Sequence, residues 1–276
     1  MRAGSRIEPK RPSHAIALTV AGSDSGGGAG IQADLKTFAS MGVHGTSAIT
    51  CVTAQNPSRV LGIQPCRPEM VRRQIEAVFN ELRPGAVKTG MLYSAAIIRT
   101  VSRALSVHPR IPLVVDPVMI ATSGARLIRP SAVRALKRDL FPLATLITPN
   151  VPEAGALLGR ELKSVEDLRT AARELQRRFG CAVLVKGGHL AGGREAADIL
   201  RMGREEWLLT APRVRHVHTH GTGCTFSAAI AAGLALGLPL LEAVHRAKHY
   251  VTIAIARSGR AGRHAVLHHP AGGRGG

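Results

Sequence analysis

Aromatic residues make up only 3% of this 276-residue chain, and its 18 acidic residues face 37 Lys and Arg residues. With so few aromatics, the core has to be built mainly from Ala, Val, Leu and Ile, the mixture that buried parallel strands and their covering helices favour. A binding face of stacked aromatic rings is therefore not expected. Hydrophobic residues reach 45%, which is enough to form a core, so the sequence predicts a folded chain.

The shortage of acidic residues leaves a formal net charge of +19, which raises nucleic acid as a partner because Lys and Arg neutralise phosphates. The basic residues are scattered along the chain, with loose concentrations only in 2–11 and 257–274. Neither end has an aromatic residue interleaved for base stacking. The sequence predicts no nucleic-acid partner, and instead an electrostatic field that attracts phosphorylated ligands.

The four cysteines form no CxxC pair, and no G-x-x-x-x-G-K-[ST] sequence is present, which argues against a zinc or redox motif and against a P-loop kinase. No apolar run with a cleavage site follows the basic N-terminus, so we expect a reducing, cytoplasmic location. The uncharged stretch 221–241 is rich in Ala and is interrupted by Gly237 and Pro239. It indicates a helix buried inside the protein, and no membrane partner is expected.

Three segments are expected along the chain. Residues 1–13 are polar, basic and contain two prolines, which predicts a disordered extension. No repeat or linker interrupts 14–257, which we expect to form a single domain. The remaining tail, 258–276, is rich in Gly, Arg and His and is expected to be partly disordered.

Strand and helix patterns alternate through this domain. Residues 15–21 predict a buried strand, 22–30 a glycine-rich loop and 31–41 a helix. A second strand pattern at 46–53 is followed by a loop. The later patterns comprise strands at 86–88, 113–116, 145–148 and 182–186, a hairpin at 197–202 and 207–210, and helices near 68–82, 94–107, 130–139, 151–158, 164–179, 223–236 and 239–257. The alternation predicts a three-layer α/β fold, a mainly parallel sheet with helices on both faces, whose ligands bind at the carboxyl ends of the strands.

The glycine run 26–30 leaves backbone N–H groups unshielded ahead of a helix, where a phosphate or another polar group can approach. Residues 28–33 also match the G-x-G-x-x-A dinucleotide fingerprint, but 54–56 read Ala-Gln-Asn where that fold places an acidic residue. A dinucleotide fold is therefore the weaker interpretation.

A second glycine turn, His220-Gly221-Thr222-Gly223-Cys224, directly precedes the uncharged helix. Its N–H groups converge at a helix start, which predicts an anion hole for a phosphoryl group in transfer. Cys224 is expected in the first turn, where the helix dipole lowers the pKa of a thiol and permits thiolate or general-base behaviour. The plain alternative is a glycine turn with a buried cysteine.

Oxygen-bearing side chains gather where strands are expected to end. Asp116 ends one strand, Asn150 and Glu153 begin a helix, and Lys186 ends another strand. Carboxylate oxygens suit Mg²⁺, which keeps several waters while it holds ATP phosphates. Lys186 adds a cation that can meet a phosphate. Taken singly, each of these residues is more often a helix cap, a turn former or a surface lysine.

Seven segments in order resemble the hydroxymethylpyrimidine/phosphomethylpyrimidine kinases of the ribokinase-like superfamily, from about residue 14 to 257. They are AGSDSGGGAGIQADLKTF (21–38), AQN (54–56), KTGML (88–92), DPVM (116–119), TPNVPEA (148–154), VKGGH (185–189) and HGTGCT (220–225). The resemblance implies a homodimeric, ATP-dependent kinase with Mg²⁺ as cofactor. It phosphorylates a hydroxymethylated pyrimidine and then its monophosphate on the route to thiamine.

The resemblance also implies roles for individual residues. Gln55 recognises the pyrimidine ring, since an amide both donates and accepts hydrogen bonds. Asp34 and the Gly22 backbone help to hold the ring and its hydroxymethyl group. The remaining implied roles are apolar walls at Met91 and Val118, an anion hole at Gly221, Thr222 and Gly223, a Mg²⁺ site organised by Asp116, Asn150 and Glu153, and a nucleotide contact at Lys186. Cys224 stands where most ribokinase-like enzymes have an aspartate base, so the base stays open.

Two departures from the family are visible. Residues 259–268 replace a G-x-G-P-V-x-H segment, and Ala125 stands where an aspartate is common. Two alternatives stay open at this point. One is a pyridoxal kinase on the same scaffold, and the other is a catalytically silent protein that binds a pyrimidine or nucleic acid.

Overall fold

The computed structural model describes residues 14–119, 128–188, 190, 195–214 and 220–269. The main element is a sheet of nine strands. Its strands are β1 (Ile16–Asp24), β2 (His44–Asn56), β3 (Arg59–Pro65), β4 (Ala86–Thr89), β5 (Leu113–Val115), β6 (Leu146–Ile147), β7 (Ala182–Lys186), β8 (Glu195–Met202) and β9 (Glu205–Pro212). The expected extension 1–13 and the departure at Ala125 lie outside the described residues.

The strand order is β3-β2-β1-β4-β5-β6-β7-β8-β9. Strands β2, β1, β4, β5, β6 and β7 pair in parallel, and β3, β8 and β9 pair antiparallel at the two edges. The mainly parallel sheet and the β8–β9 hairpin are confirmed. The loop expected after the second strand is wrong, because residues 59–65 form the edge strand β3 instead.

Eight α-helices are described along the chain. They are α1 (Gly30–Ser40), α2 (Pro68–Glu81), α3 (Ala95–Ser106), α4 (Pro130–Ala135), α5 (Val151–Leu158), α6 (Val165–Phe179), α7 (Thr222–Ala235) and α8 (Leu240–Ala256). The helix expected over 130–139 ends early as an α-helix and continues as a π-helical turn, Leu136–Leu140. None of the helices in the described ranges is long and apolar enough to cross a bilayer.

The helices cover both faces of the sheet. On β1, Leu18 and Val20 point into the apolar cluster under α2, α3, α5 and α6, whereas Ala17 points into the cluster under α7 and α8. This alternation follows from the period of two along a strand. Helix α7 is buried along most of its length, and its residues Phe226 and Ile230 belong to the second of these apolar clusters. The uncharged stretch is thus a buried helix, as the sequence predicts.

The segment after α8 forms a short hairpin, whereas the partly disordered tail expected over 258–276 stays a prediction. Strands β10 (Gly259–Ala261) and β11 (His264–Val266) form a short antiparallel hairpin. The chain then returns to α8, where His268 donates its backbone N–H to Ala254 and the Tyr250 hydroxyl lies 3.1 Å from Nδ1 of His269. The remainder of the tail, from residue 270, lies outside the described residues.

Candidate active site

A carboxylate organises the glycine loop between β1 and α1. Asp24 accepts hydrogen bonds from the backbone N–H groups of Gly26 (2.8 Å), Gly28 (3.2 Å) and Ala29 (2.8 Å). Burial pushes the pKa of Asp24 upward, but hydrogen bonds from His220 and from the loop outweigh it, so the pKa lies below its usual value. The loop is held in one shape around an ionised side chain that the sequence patterns do not single out.

The first turn of α7 lies directly against this loop. Gly221, which precedes the helix, has a φ of +86°, and a Cβ placed on it would lie 1.7 Å from the carbonyl oxygen of Gly28. Only glycine permits both this conformation and this approach. The first N–H groups of a helix have no acceptor within it and carry roughly half a positive charge. The start of α7, with Thr222 and Gly223 in its first turn, therefore lies beside the glycine loop and is suited to an anion.

Cys224 faces the glycine loop from the first turn of α7. Its thiol accepts a hydrogen bond from the backbone N–H of Gly30. Burial raises the pKa of the thiol to about 11, and the nearby Lys88 only partly opposes this effect. The expectation that the helix dipole lowers this pKa is wrong, because the loss of solvation outweighs the helix end. At neutral pH the side chain is a protonated thiol.

Lys88 and Asp34 form a buried ion pair close to Cys224. The Lys88 Nζ lies 2.9 and 2.8 Å from the two oxygens of Asp34, and the Thr19 hydroxyl donates to Oδ2 at 2.6 Å. Burial alone would lower the pKa of Lys88, but Asp34 raises it above its usual value. Neither side chain has any exposed surface. Asp34 therefore holds the Lys88 ammonium group, and its expected contact with the substrate stays a prediction.

A second ion pair lies at the start of α7. The Lys186 Nζ lies 3.0 Å from Oδ1 of Asp116, and the Ser227 hydroxyl lies 3.2 Å from Oδ2. Thr148 approaches Oδ1 at 3.4 Å. A Cβ placed on Gly223 would lie 3.2 Å from the Lys186 Nζ. The lysine charge and the helix end thus converge on one position, which is suited to a phosphoryl group.

Glu153 and Asn150 build the beginning of α5. The Asn150 side chain accepts the Glu153 N–H (2.9 Å), and the Glu153 carboxylate accepts the N–H groups of Asn150 (3.0 Å) and Met119 (3.1 Å). Burial, together with the nearby Asp116 carboxylate, raises the pKa of Glu153 to about 7. Asn150 also forms a parallel bridge with Lys186. The capping box therefore fixes the Glu153 carboxylate next to the Lys186–Asp116 ion pair.

The carboxylates of Asp116 and Glu153 decide how a cation could be held at this site. Among the described residues, no group of three or more His, Cys, Asp or Glu side chains is placed to hold a metal ion. Asp116 and Glu153 supply oxygen donors that influence each other electrostatically. A pair of this kind fits Mg²⁺, which usually takes one or two carboxylates and keeps several waters.

Gln55 reaches the glycine loop through a histidine. The Gln55 Nε2 lies 3.0 Å from Nε2 of His220, and the same ring nitrogen lies 3.1 Å from Oδ2 of Asp24. The Ser25 hydroxyl also donates to the Gln55 carbonyl oxygen at 2.7 Å. Gln55, which is expected to recognise the ring, is thus connected to the glycine loop that packs against the start of α7.

Apolar residues line the neighbouring strand ends. A Cβ placed on Gly22 would lie 2.8 Å from the Cys51 Sγ and 3.8 Å from the Met91 Sδ, so Gly22 and Met91 lie close together. Val118 has a φ of +40°. Left-handed backbone is rare for a β-branched residue, and such strain clusters at functional sites.

The site thus gathers Gly22, Gln55, Met91, Asp116, Asn150, Glu153, Lys186 and residues 221–224 around strand ends and helix starts. Sequence reasoning missed four residues that hold these groups, namely Asp24, Lys88, His220 as a side chain, and Ser227. One signal was available for Lys88, since a charged residue inside a short, otherwise uncharged strand requires a buried partner.

The chain is similar to known proteins over most of its length. Residues 24–269 match the family model described as phosphomethylpyrimidine kinase. A hydroxymethylpyrimidine/phosphomethylpyrimidine kinase of Rhizobium meliloti is 49% identical over 247 residues, which cover 89% of this chain and 92% of the relative. The thiamine biosynthesis bifunctional protein ThiED of Geobacter sulfurreducens is 50% identical over 253 residues, and this chain spans about half of it (51%).

Solved structures show the same fold. A phosphomethylpyrimidine kinase of Clostridium difficile aligns with a TM-score of 0.77 and 43% identity, covering 87% of this chain and 99% of that one. An ADP complex of Bacillus subtilis pyridoxal kinase aligns with a TM-score of 0.87 and 37% identity, covering 94% and 98%. The fold and site define a small-molecule kinase with a ribokinase-like fold. More narrowly, the chain belongs to the phosphomethylpyrimidine kinase family.

Proposed function

We propose that this protein transfers the γ-phosphoryl group of ATP to the hydroxymethyl oxygen of 4-amino-5-hydroxymethyl-2-methylpyrimidine. A second transfer, to the resulting monophosphate, gives the diphosphate used in thiamine biosynthesis. One observation carries the proposal. Gln55 contacts His220 at 3.0 Å, and His220 directly precedes the α7 start at residues 221–224. The residue proposed to recognise the ring therefore lies beside the groups proposed to bind phosphate.

The transfer forms a bond between the alcohol oxygen and the γ-phosphorus while the bond to ADP breaks and the alcohol loses its proton. Negative charge spreads over the oxygens of the phosphoryl group in transit. The N–H groups at Gly221, Thr222 and Gly223 would stabilise that charge, and Lys186 would add a fixed positive charge. Such preorganised groups commonly supply the largest part of catalysis.

The pyrimidine would lie against Gln55, whose amide suits a ring edge that carries both an amino group and a ring nitrogen. The Gly22 backbone, Met91 and Val118 would enclose the ring. The proximity of Gly22 to the Met91 sulfur supports a shared wall.

ATP would bind with Mg²⁺ held through water by Asp116 and Glu153, while Lys186 and Asn150 would serve the nucleotide side. When bound, Mg²⁺ neutralises charge on the phosphates. Neighbouring structures in complex with ADP and with AMP-PCP support nucleotide binding on this scaffold. The net charge of +19 would favour the approach of both phosphorylated reactants.

The test is product analysis by mass after incubation with Mg²⁺, ATP and the free alcohol. We expect the monophosphate to appear first and the diphosphate to follow. Gln55→Ala should abolish most turnover, whereas Gln64→Ala on the exposed edge strand β3 is the matched control and should not. Absence of both phosphorylated products from the wild-type protein would refute the proposal.

Pyridoxal is the second candidate substrate, because pyridoxal kinases of Bacillus subtilis and Staphylococcus aureus align with TM-scores of 0.87 and 0.85. It also presents a hydroxymethyl group on a nitrogen ring. We expect a higher kcat/KM for the pyrimidine in a coupled ATP assay. Faster turnover of pyridoxal would reverse the assignment.

We also propose a cytoplasmic homodimer that binds no nucleic acid. Val52 and Leu61 lie on neighbouring strands at the sheet edge and are 51% and 63% exposed, which supports an interface there. Light scattering after gel filtration should give twice the chain mass of 29.1 kDa. A Leu61→Glu variant should shift the protein toward monomer, and a wild-type monomer would contradict the homodimer.

A further inference from the structure

The His220 side chain makes a contact that the assigned roles do not explain. Its Nε2 lies between the Gln55 amide, at 3.0 Å, and Oδ2 of Asp24, at 3.1 Å. Its ring lies against Gly28, where an added Cβ would come within 2.9 Å of the imidazole. Only 15% of the side chain is exposed, and its Nδ1 is buried without a partner in the described structure.

The carboxylate decides where the imidazole hydrogen lies. A hydrogen on Nε2 gives a charge-assisted bond to Asp24, roughly twice as strong as a neutral one. A bare Nε2 would instead place a lone pair against a carboxylate at 3.1 Å, and would leave a hydrogen on the buried Nδ1 with no acceptor. His220 therefore carries its hydrogen on Nε2.

This tautomer constrains Gln55. A protonated Nε2 has no lone pair to accept a hydrogen bond from the Gln55 NH₂ group, which lies 3.0 Å away in this rotamer. The amide oxygen, which can share the Nε2 hydrogen with Asp24, is therefore the end of the amide that faces the imidazole. The two ends of a glutamine amide exchange by rotation about its last bond, and the hydrogen-bond network selects between them. The amide NH₂ group is then directed away from His220.

We propose that His220, held by Asp24, is a positioning residue for substrate specificity that turns the Gln55 NH₂ group toward the ligand. Gln55 then offers a donor to an acceptor nitrogen of the ring. The inference rests on the proposed function, because it concerns how the pyrimidine alcohol is read.

The tautomer can be measured on the full-length protein without substrate. In protein labelled with ¹⁵N-histidine, the His220 resonances are identified by their loss in His220→Gln. We expect Nε2 to give the shift of a protonated nitrogen and Nδ1 that of a bare one. The reverse pattern would overturn the inference, and this result does not depend on which alcohol the enzyme phosphorylates.

Kinetics on the pyrimidine alcohol test the positioning role. Glutamine can place an N–H near the Nε2 position, whereas asparagine reaches only to Nδ1. We expect His220→Asn to raise the KM for the alcohol about tenfold, the value of one hydrogen bond, with kcat and the KM for ATP nearly unchanged. His220→Gln should restore most of the affinity.

An equal rise in the KM for the alcohol in His220→Asn and His220→Gln would show a structural role at the α7 start. A matching rise in the KM for ATP would show the same, and either result would overturn the inference. If the wild-type protein turns over no pyrimidine alcohol, the proposed function fails. The ¹⁵N measurement then still decides the tautomer.

Discussion

Replacement of Gly221 by alanine should separate backbone strain from the contact between α7 and the glycine loop. A left-handed backbone costs an alanine about 1–2 kcal/mol. The added Cβ would also start 1.7 Å from the Gly28 oxygen, whereas ordinary contact begins near 3.4 Å, so about 1.7 Å of displacement is required. Because a misplacement of about 1 Å can cost roughly 10²-fold in rate, we expect kcat/KM to fall at least a hundredfold.

Gly237, just beyond the other end of α7, provides the matched control. Its φ is +83°, and an added Cβ would meet no atom within 4 Å. Gly237→Ala should lower the free energy of unfolding by about 1–2 kcal/mol and leave kcat/KM near the wild-type value. Urea unfolding and the coupled assay measure both quantities. A folded Gly221→Ala protein with full activity, or equal activity losses in the two variants, would refute the reasoning.

Three further predictions concern buried ionisable groups. Because the pKa of Cys224 is about 11, Cys224→Ala should keep the wild-type shape of the pH–rate profile between about pH 6 and 9; a pH dependence lost in the variant would indicate a thiolate base. Lys88→Met leaves Asp34 buried and unpaired, so urea unfolding should show a loss of about 3–5 kcal/mol, and adding Asp34→Asn should recover part of it. Burial, reinforced by Lys36, lowers the pKa of His269 from 6.5 to about 4. As the pH falls, the His269 ring is therefore protonated in the unfolded chain before it is protonated in the folded one. Its contribution to the free energy of unfolding is complete above pH 6.5 and is lost as the pH falls through 4. His269→Asn should flatten this pH dependence of the free energy of unfolding, measured by urea titrations at several pH values.

Much of the fold could be predicted because the sequence patterns are local. Glycine clusters and apolar runs give the strand–loop–helix order, and the period of two along β1 separates Leu18 from Ala17. Strand β3 could not be predicted in this way. It contains Gly62 and Pro65 and is exposed along most of its length, so it has no apolar alternation, and only its pairing with β2 makes it a strand.

The site was harder to predict, since its groups are defined by partners distant in the chain. The sequence places the glycine loop and the turn at 220–224 each ahead of a helix, and the structure brings the two turns into contact at Gly28 and Gly221. The sequence does not indicate that Asp34 pairs with Lys88, because the two residues are 54 positions apart in the chain. It also fails for the Cys224 pKa, because burial depends on how α7 packs and no local pattern reports that packing.

The ionisation of Cys224 and of Lys186 argues against either residue as the general base. At neutral pH the Cys224 thiol keeps its proton, and the pKa of Lys186 is raised because Asp116 and Glu153 outweigh its burial. A lysine that keeps its proton cannot accept another. In a largely dissociative transfer, the alcohol becomes acidic only as its bond to phosphorus forms, so little is gained from removing its proton early. We therefore expect catalysis to depend on the placement of fixed charges and N–H groups, and so on Gly221, where an added Cβ would come within 1.7 Å of the Gly28 oxygen.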